Sequence, residues 1–531
     1  MLFFPSGRGY RLVIPKEIYR NILRICFYNR MDNLLKGGRD QVTQMENKSE
    51  EKLVTDSQRL KSGEPENQEK EKAAVEERIE QGVHNYSAAE EYVWPEDDKV
   101  RQKLEWFQDQ KLALMMHWGP YSQLGIVESW ALSDADAEWS RTGIDWEVSG
   151  EEFKKQYFDL NKTFHPIRFE PEKWADIAAE AGMRYLIFTT KHHDGFCMWD
   201  TRYSDYKITG TDCPYHNHKY ADICGHLFEA FRKKGIGIAA YFSKADWHIE
   251  SYWAKNYPRG EYMWRGPSYD PLKQPEEWER FAEFTRNQVK ELATRYGKLD
   301  IMWFDAGWVC KENGQDIRLG ETIEEIRTWQ PGMLCADRTV GGAYENYITP
   351  EQCVPEEPLT VPWESCITLG TSFSFAYEDV YKSPREVIHL LTDIVAKGGN
   401  LAINVGPQPD GRLPKGAIAS LKGIGAWLKL FGEAIYGTRI CAPYKVDNIA
   451  FTRKGEVVYA LELFAEGDEV PDRVFLPFGG RVKRVTRVGT GENILFENIT
   501  GGLQVMVPWA KGKEAPVARV YKLEPEAAFG S

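Results

Sequence analysis

The sequence predicts an α/β protein: a (β/α)8-like, TIM-type catalytic barrel with a C-terminal β-sandwich domain. Three observations carry this. Between Trp94 and about Gly432, short apolar runs alternate with segments of helical period, the mark of parallel β/α units. The apolar runs end in polar, chemistry-bearing residues. A barrel collects its active site at C-terminal strand ends, whereas a doubly wound sheet does so mainly at one switch point. After about Tyr436 the pattern becomes short β-type runs divided by Gly, Pro and charged turns, as in a sandwich. The expected organisation is an extension over residues 1–91, a barrel over 92–436 and a sandwich over 437–531.

Taken in order, the barrel runs are LALMMHWG, RYLIFTTKHHDG, GIGIAAYFS, LDIMWFDAGW, GMLCADR, VPWESC and GNLAINVGP. They are expected to end in His117, His192 with His193, Tyr241, Asp305, Arg338, Glu364 and Asn404. Between them, Ile223, Leu227, Ala230 and Phe231 recur at helical spacing before a stop at Gly235, and Phe281, Val289, Leu292 and Tyr296 share one helical face. The sandwich runs are VVYALELF, DRVFLPF, VKRVTRV, LQVMVPW and VARVYKL. Residues 47–91 are polar and charged, a solvated linker by composition; the apolar-basic stretch before them reads as a docking helix or as sequence upstream of a start at Met31 or Met45.

Composition narrows the function classes. The 531 residues are 42% hydrophobic and 13% aromatic, enough for a large core. A net charge of −13 argues against nucleic acid or anionic membrane as the main partner. The nine cysteines form no CxxC pair, which together with an N-terminus unlike a signal peptide gives a cytoplasmic expectation.

The chemistry concentrates at the expected strand ends. Asp305 follows the apolar Ile301-Met-Trp-Phe304 and precedes small Ala306 and Gly307, so a carboxylate would stand at the barrel mouth with space beside it. Such a group can attack an anomeric carbon; capping the next turn is the plainer use. Glycoside hydrolysis needs a second carboxyl group. Glu351, in a segment that reads as a loop, and Glu364, at an apparent strand end, compete for that role. His192, His193 and His117 are expected to hydrogen-bond a polar ligand; the sequence offers no HExxH or paired-Cys signature, so no metal is expected. Arg338 could orient a carboxylate, and Trp118, Trp130, Trp199 and Phe375 could offer apolar faces or simply fill the core. The glycines of GGNLAINVGP do not form a dinucleotide cradle.

In order along the chain stand HWGPYS, ESW, TTKHHDGFCMWDT, WFDAGW, TPEQ, WESC and KGGNLAINVGP. This ordered set resembles the α-L-fucosidases of glycoside hydrolase family 29, over about Trp94 to Tyr436. The resemblance implies an exo-acting, metal-free, retaining enzyme without a cofactor. It implies Asp305 as nucleophile, and His117, His192, His193, Tyr241 and Arg338 in the sugar site. Glu128 and Trp130 look like the family's Glu-Trp pair, here separated by Ser129, and Phe375 stands where the family often has Trp, as an apolar wall. TPEQ resembles the family's TPEY loop, which makes Glu351 the first choice of acid/base and Glu364 the alternative. The expected reaction is hydrolysis of terminal α-L-fucosyl residues from fucosylated oligosaccharides or glycosides by double displacement. Its rivals are an α-L-galactosidase-type glycosidase, a non-catalytic carbohydrate-binding protein and a metal-dependent hydrolase on His192, His193 and Asp305. Homo-oligomerisation is left open.

Overall fold

The structure, a computed structural model, describes residues 86–133, 140, 150–254, 265–510 and 513–526. Residues 1–85, most of the expected polar linker (47–91) with the segment before it, lie outside the described residues; of its last residues, Tyr86 and Ala89 pack against the barrel core and Ser87 donates to Glu345 Oε2 at 2.5 Å.

Seven parallel strands form the barrel wall: β1 (Leu112–Met116), β2 (Tyr185–Lys191), β3 (Gly237–Ser243), β4 (Ile301–Asp305), β5 (Leu334–Asp337), β6 (Glu364–Thr368) and β7 (Asn400–Asn404). Their order is β5-β4-β3-β2-β1-β7-β6. The remaining position, between β5 and β6, is filled by the segment 345–352. Asn346 exchanges hydrogen bonds with the Cys335 backbone of β5, donating its N–H (2.8 Å) and accepting at Oδ1 (2.9 Å). On the other side, Ile348 and Glu351 bridge in parallel to Trp363 and Cys366. On that side four backbone hydrogen bonds of 2.9–3.1 Å join the segment to residues 362–366, from Ile348 N–H to Pro362, from Glu364 N–H to Ile348, from Cys366 N–H to Pro350 and from Gln352 N–H to Cys366; the missing rung of this eighth stave falls at Pro350, which has no N–H to give.

The strands are apolar on both faces because both are covered. In β1 and β2, Leu112, Leu114, Met116, Leu186 and Phe188 pack outward against helices, while Ala113, Met115, Tyr185 and Ile187 point into the barrel. The helical layer comprises α2 (Gly150–Phe158), α3 (Pro171–Glu180), α4 (Ile223–Lys233), α5 (Pro275–Arg295), α6 (Leu319–Trp329), α7 (Pro384–Ala396) and α8 (Lys415–Phe431). Pro at the first turn starts α3, α5 and α7, where a missing N–H costs nothing. Ser383 and Glu386 close a capping box on α7. A further helix, α1 (Asp98–Gln110), closes the floor: Val100, Leu104 and Phe107 join the interior cluster, and Phe107 stacks on Tyr347 at 4.1 Å.

Beyond α8 the described residues form eight antiparallel strands. β8 (Arg439–Val446), β9 (Ile449–Lys454), β10 (Val457–Leu463), β12 (Val482–Arg487) and β15 (Ala518–Pro525) make a sheet of order β12-β15-β10-β9-β8; β11 (Arg473–Leu476), β14 (Gly502–Met506) and β13 (Leu495–Ile499) make the second. Phe451, Val458 and Tyr521 of the first sheet share a core with Val474, Leu503 and Val505 of the second. The sandwich is bound to the barrel through α7, where Arg385 donates to the Phe464, Ala515 and Pro516 carbonyls at 2.5–3.1 Å. No helix among the described residues is long and apolar enough to cross a membrane.

Candidate active site

Six of the seven expected chemistry-bearing positions sit at the C-terminal side of the barrel. Asp305 and Asn404 end β4 and β7, Tyr241 lies two residues before the end of β3, and His117, His192 and Arg338 each directly follow a strand. Glu364 is the exception and corrects the expectation that it ends a strand. It is the first residue of β6 and lies on the barrel floor, where it accepts hydrogen bonds from Tyr185, the first residue of β2, and from Trp303 Nε1 at 3.2 Å. Burial pushes its carboxyl up to about 7. Glu351, expected on a loop, is instead part of the eighth stave, paired to Cys366.

At the mouth the carboxylates meet one cation. Arg338 donates to Asp305 Oδ1 through Nη1 (3.1 Å) and to Glu351 Oε2 through Nη2 (2.5 Å). Tyr241 donates its hydroxyl to Asp305 Oδ2 at 2.5 Å, and His193 Nε2 lies 3.6 Å from the same oxygen. The Tyr241 ring stacks on Trp303 with centroids 5.1 Å apart, and the Arg338 guanidinium lies over the Trp303 ring, also at 5.1 Å. One buried indole thus supports both groups that bind Asp305. Burial works against ionisation of Asp305, but Arg338, His193 and the Tyr241 hydrogen bond hold its carboxyl well below the usual carboxylate range.

The imidazoles are set by their Nδ1 partners. His117 Nδ1 pairs with Asn404 Oδ1 at 2.8 Å, so this nitrogen carries the hydrogen and Nε2 is left for a ligand. His192 Nδ1 meets Ser129 Oγ at 2.6 Å, and His193 Nδ1 meets Ser243 Oγ. Burial lowers His117 and His193 to about 4 and His192 well below its ordinary value, so all three are neutral near pH 7. His192, His193 and Asp305 bring ligand atoms within 4.8 Å of one another, close enough to be a candidate cation site. Their observed partners, two hydroxyls, a guanidinium and a phenol, already orient them for hydrogen bonding.

Glu128 and Trp130 also reach the site. Glu128 is buried; its Oε1 accepts the Ser374 N–H at 2.6 Å. Burial, and then the charges of Glu351 and Asp305, raise its carboxyl to about 8 against the Ser374 hydrogen bonds, so it is an O–H donor at neutral pH. The Trp130 ring lies 5.1 Å from that of His193. The intervening Ser129 is the hydroxyl that holds His192. The apolar face nearest His117 belongs to Phe373, at 5.0 Å, rather than to Phe375, which lines a neighbouring cleft. Trp118 and Trp199 are core residues, 1% and 0% exposed.

Sequence reasoning missed Ser129, Ser243, Phe373, Ser374 and the supporting role of Trp303. Backbone geometry marks the same place. Glu128 itself, Ala306 after Asp305, Thr339 after Arg338 and Gln352 after Glu351 all have left-handed φ, from 37° to 68°. Each costs roughly 1 kcal/mol or more in a residue with a Cβ, and four such residues around one pocket aim its side chains.

Comparison with known proteins finds the chain similar to α-L-fucosidases. A family model described as α-L-fucosidase matches residues 79–433. The α-L-fucosidase of Branchiostoma floridae is 25% identical over 68% of this chain and 79% of its own. The human tissue α-L-fucosidase is 27% identical over 64% of this chain and 74% of its own. Among solved structures, α-L-fucosidase isoenzyme 1 from Paenibacillus thiaminolyticus aligns with a TM-score of 0.66 at 28% identity, covering 81% of this chain and all (100%) of that one. A GH29 α-L-fucosidase from Bacteroides thetaiotaomicron, trapped as a covalent intermediate with 2-fluoro-fucosyl fluoride, aligns with a TM-score of 0.65 at 26% identity over 82% of this chain and 98% of that one. The Thermotoga maritima α-fucosidase in complex with fucose gives 0.63 at 27% identity over 80% and 98%.

Proposed function

The chain belongs to the α-L-fucosidase family of glycoside hydrolases, and on that premise we propose the roles of its residues in removing terminal α-L-fucosyl groups with retention. The observation that carries the assignment is the Asp305–Arg338–Glu351 bridge at the barrel mouth. Asp305 is ionised at working pH and attacks the anomeric carbon. Glu351 protonates the departing oxygen, then takes a proton from the water that releases fucose. Arg338 holds the two carboxylates in one orientation, and Tyr241 fixes the second oxygen of Asp305. His117, His192, His193 and protonated Glu128 bind the sugar hydroxyls, while Trp130 and Phe373 wall the ring.

The floor position of Glu364, beneath Trp303, argues against it as acid/base: a proton there is separated from the leaving group by the indole and the Tyr241 stack. The buried, unpaired thiols Cys197, Cys213, Cys224, Cys335, Cys366 and Cys441 support a reducing, cytoplasmic setting, which fractionation of the expressing cells would check.

The test is release of nitrophenol from p-nitrophenyl α-L-fucoside with a chelator present, followed by mass spectrometry after exposure to 2-fluoro-fucosyl fluoride. A fucosyl adduct on the peptide carrying Asp305 is expected. An adduct on another carboxylate would overturn the nucleophile, and loss of activity on chelation would restore the metal reading of His192, His193 and Asp305.

A further inference from the structure

Three consecutive residues of one irregular turn serve the sugar pocket. Glu128 brings a buried carboxyl, the Ser129 hydroxyl meets His192 Nδ1 at 2.6 Å, and the Trp130 ring lies 5.1 Å from that of His193. The turn leads into a short 3-10 helix (Trp130–Leu132), and Gly125 and Glu128 within it have left-handed φ of 66° and 37°. A residue with a Cβ keeps such a conformation only where its surroundings impose it. We propose that Ser374 imposes it: a positioning residue whose clasp on residues 126–128 aims Glu128, Ser129 and Trp130 at the fucosyl ring. This rests on the reading of Glu128 as a sugar-binding group.

The clasp is made by both the backbone and the side chain of Ser374. Its N–H donates to Glu128 Oε1 at 2.6 Å, and its hydroxyl donates to the Ile126 carbonyl. The same hydroxyl oxygen accepts the Glu128 N–H at 3.3 Å. The first bond fixes the carboxyl; the other two fix the backbone on either side of Val127. Ser374 and Glu128 are 1% and 2% exposed. Solvent therefore does not replace the hydroxyl when it is removed, and the groups it served are left unpaired.

The contact continues along the chain. Tyr377 donates its hydroxyl to the Gln123 carbonyl at 2.8 Å, and its ring covers Gly125, where a Cβ would come within 2.7 Å of it. Segments 123–128 and 374–377 thus run side by side in opposite directions and are joined at both ends. The residue before Ser374 reaches a second wall of the pocket. The Phe373 carbonyl accepts Asn404 Nδ2 at 2.6 Å, and Asn404 Oδ1 holds His117 Nδ1 at 2.8 Å. The bonds that set the nucleophile are made elsewhere, by Tyr241 of β3 and by Arg338 after β5, which also holds Glu351. Loosening the clasp should therefore weaken sugar binding more than it slows the chemical step.

The experiment measures kcat and KM on p-nitrophenyl α-L-fucoside, and the inhibition constant of free fucose, for wild type, Ser374→Ala, Glu128→Ala and the double variant. Ser374→Ala is expected to raise KM and the fucose inhibition constant about tenfold while kcat stays within about threefold. Added to Glu128→Ala, it should cost no more than about a further threefold in kcat/KM, because the two residues act through one contact. A fall in kcat at unchanged KM, unchanged kinetics, or losses that multiply in the double variant would overturn the role of Ser374. Should Ser374→Ala fail to fold, Tyr377→Phe decides, since it removes one hydroxyl from a residue that is 67% exposed. Its KM is expected to rise about threefold, and an unchanged KM would overturn the clasp. Wild-type fucose binding in Glu128→Ala would overturn the reading of Glu128 on which the proposal rests. A wild type inactive on the aryl fucoside would instead overturn the fucosidase reading itself.

Discussion

Asp305 and Glu364 occupy opposite ends of one barrel and are built from nearly the same parts. Each accepts a tyrosine hydroxyl, Tyr241 at the mouth and Tyr185 at the floor. Each is tied to Trp303, Asp305 through the arginine and tyrosine resting on the indole, Glu364 through the indole N–H itself. The difference is a cation. Arg338 reaches Asp305 and keeps it ionised despite burial, whereas Glu364 has only neutral partners and is driven toward the protonated form. Of these two buried carboxyls, the one with a fixed positive charge beside it stays ionised, as a nucleophile must, and the one without is driven to the protonated form.

Substitution can break this contrast or sharpen it. Asp305→Ala should cost on the order of 10⁴-fold in turnover with an unchanged melting temperature; near-full activity would remove the contrast altogether. Glu351→Ala should cost about 10²–10⁴-fold on oligosaccharides and much less on a nitrophenyl glycoside, whose leaving group needs no proton. A loss independent of the leaving group would speak against a role as acid. Glu128→Gln retains an N–H donor that cannot ionise. Wild type should lose sugar binding as pH rises through about 8, where Glu128 gives up its proton, and the variant should lack that alkaline limb, a change of roughly tenfold in kcat/KM near pH 9.

The smallest effect is on stability. Folding raises the Glu364 pKa, so the folded chain holds this proton more tightly than the unfolded one. The resulting stabilisation is full below the unfolded value of about 4.3 and is lost as pH rises through the folded value of about 7. Glu364→Gln cannot ionise, so the advantage of wild type over the variant should shrink by roughly 3 kcal/mol between pH 4 and 8. Thermal melts across that range check it, and a pH-independent gap would mean that Glu364 is charged in the folded state.

Most of the barrel was legible because its strands are buried on both faces and end abruptly in polar residues. The β6 stretch misled for a local reason. Val361-Pro-Trp363 looks like the body of a strand, but Pro362 has no N–H to give, so the ladder with β7 begins only at Glu364 and the carboxyl falls at the floor. The eighth stave was hidden by the opposite fault: 345–352 has no apolar run, and its place is set by isolated bridges that leave no periodic trace. In the sandwich, β8, β9 and β13 escaped notice because Arg439, Lys445, Arg453 and Glu497 interrupt their apolar positions. At the site, ionisable residues at strand ends were readable, while Ser129, Ser243 and Phe373 act through contacts between segments far apart in sequence.

The stave that carries Glu351 is held to the β5 backbone at Asn346 rather than along a ladder, and this has a consequence on warming. A segment laddered on one side only opens before strands laddered on both, so Glu351 would be displaced while the remaining wall and the sandwich still stand. Heat inactivation should then run several degrees ahead of melting and reverse on cooling, with the acid, not the nucleophile, as the part that fails first.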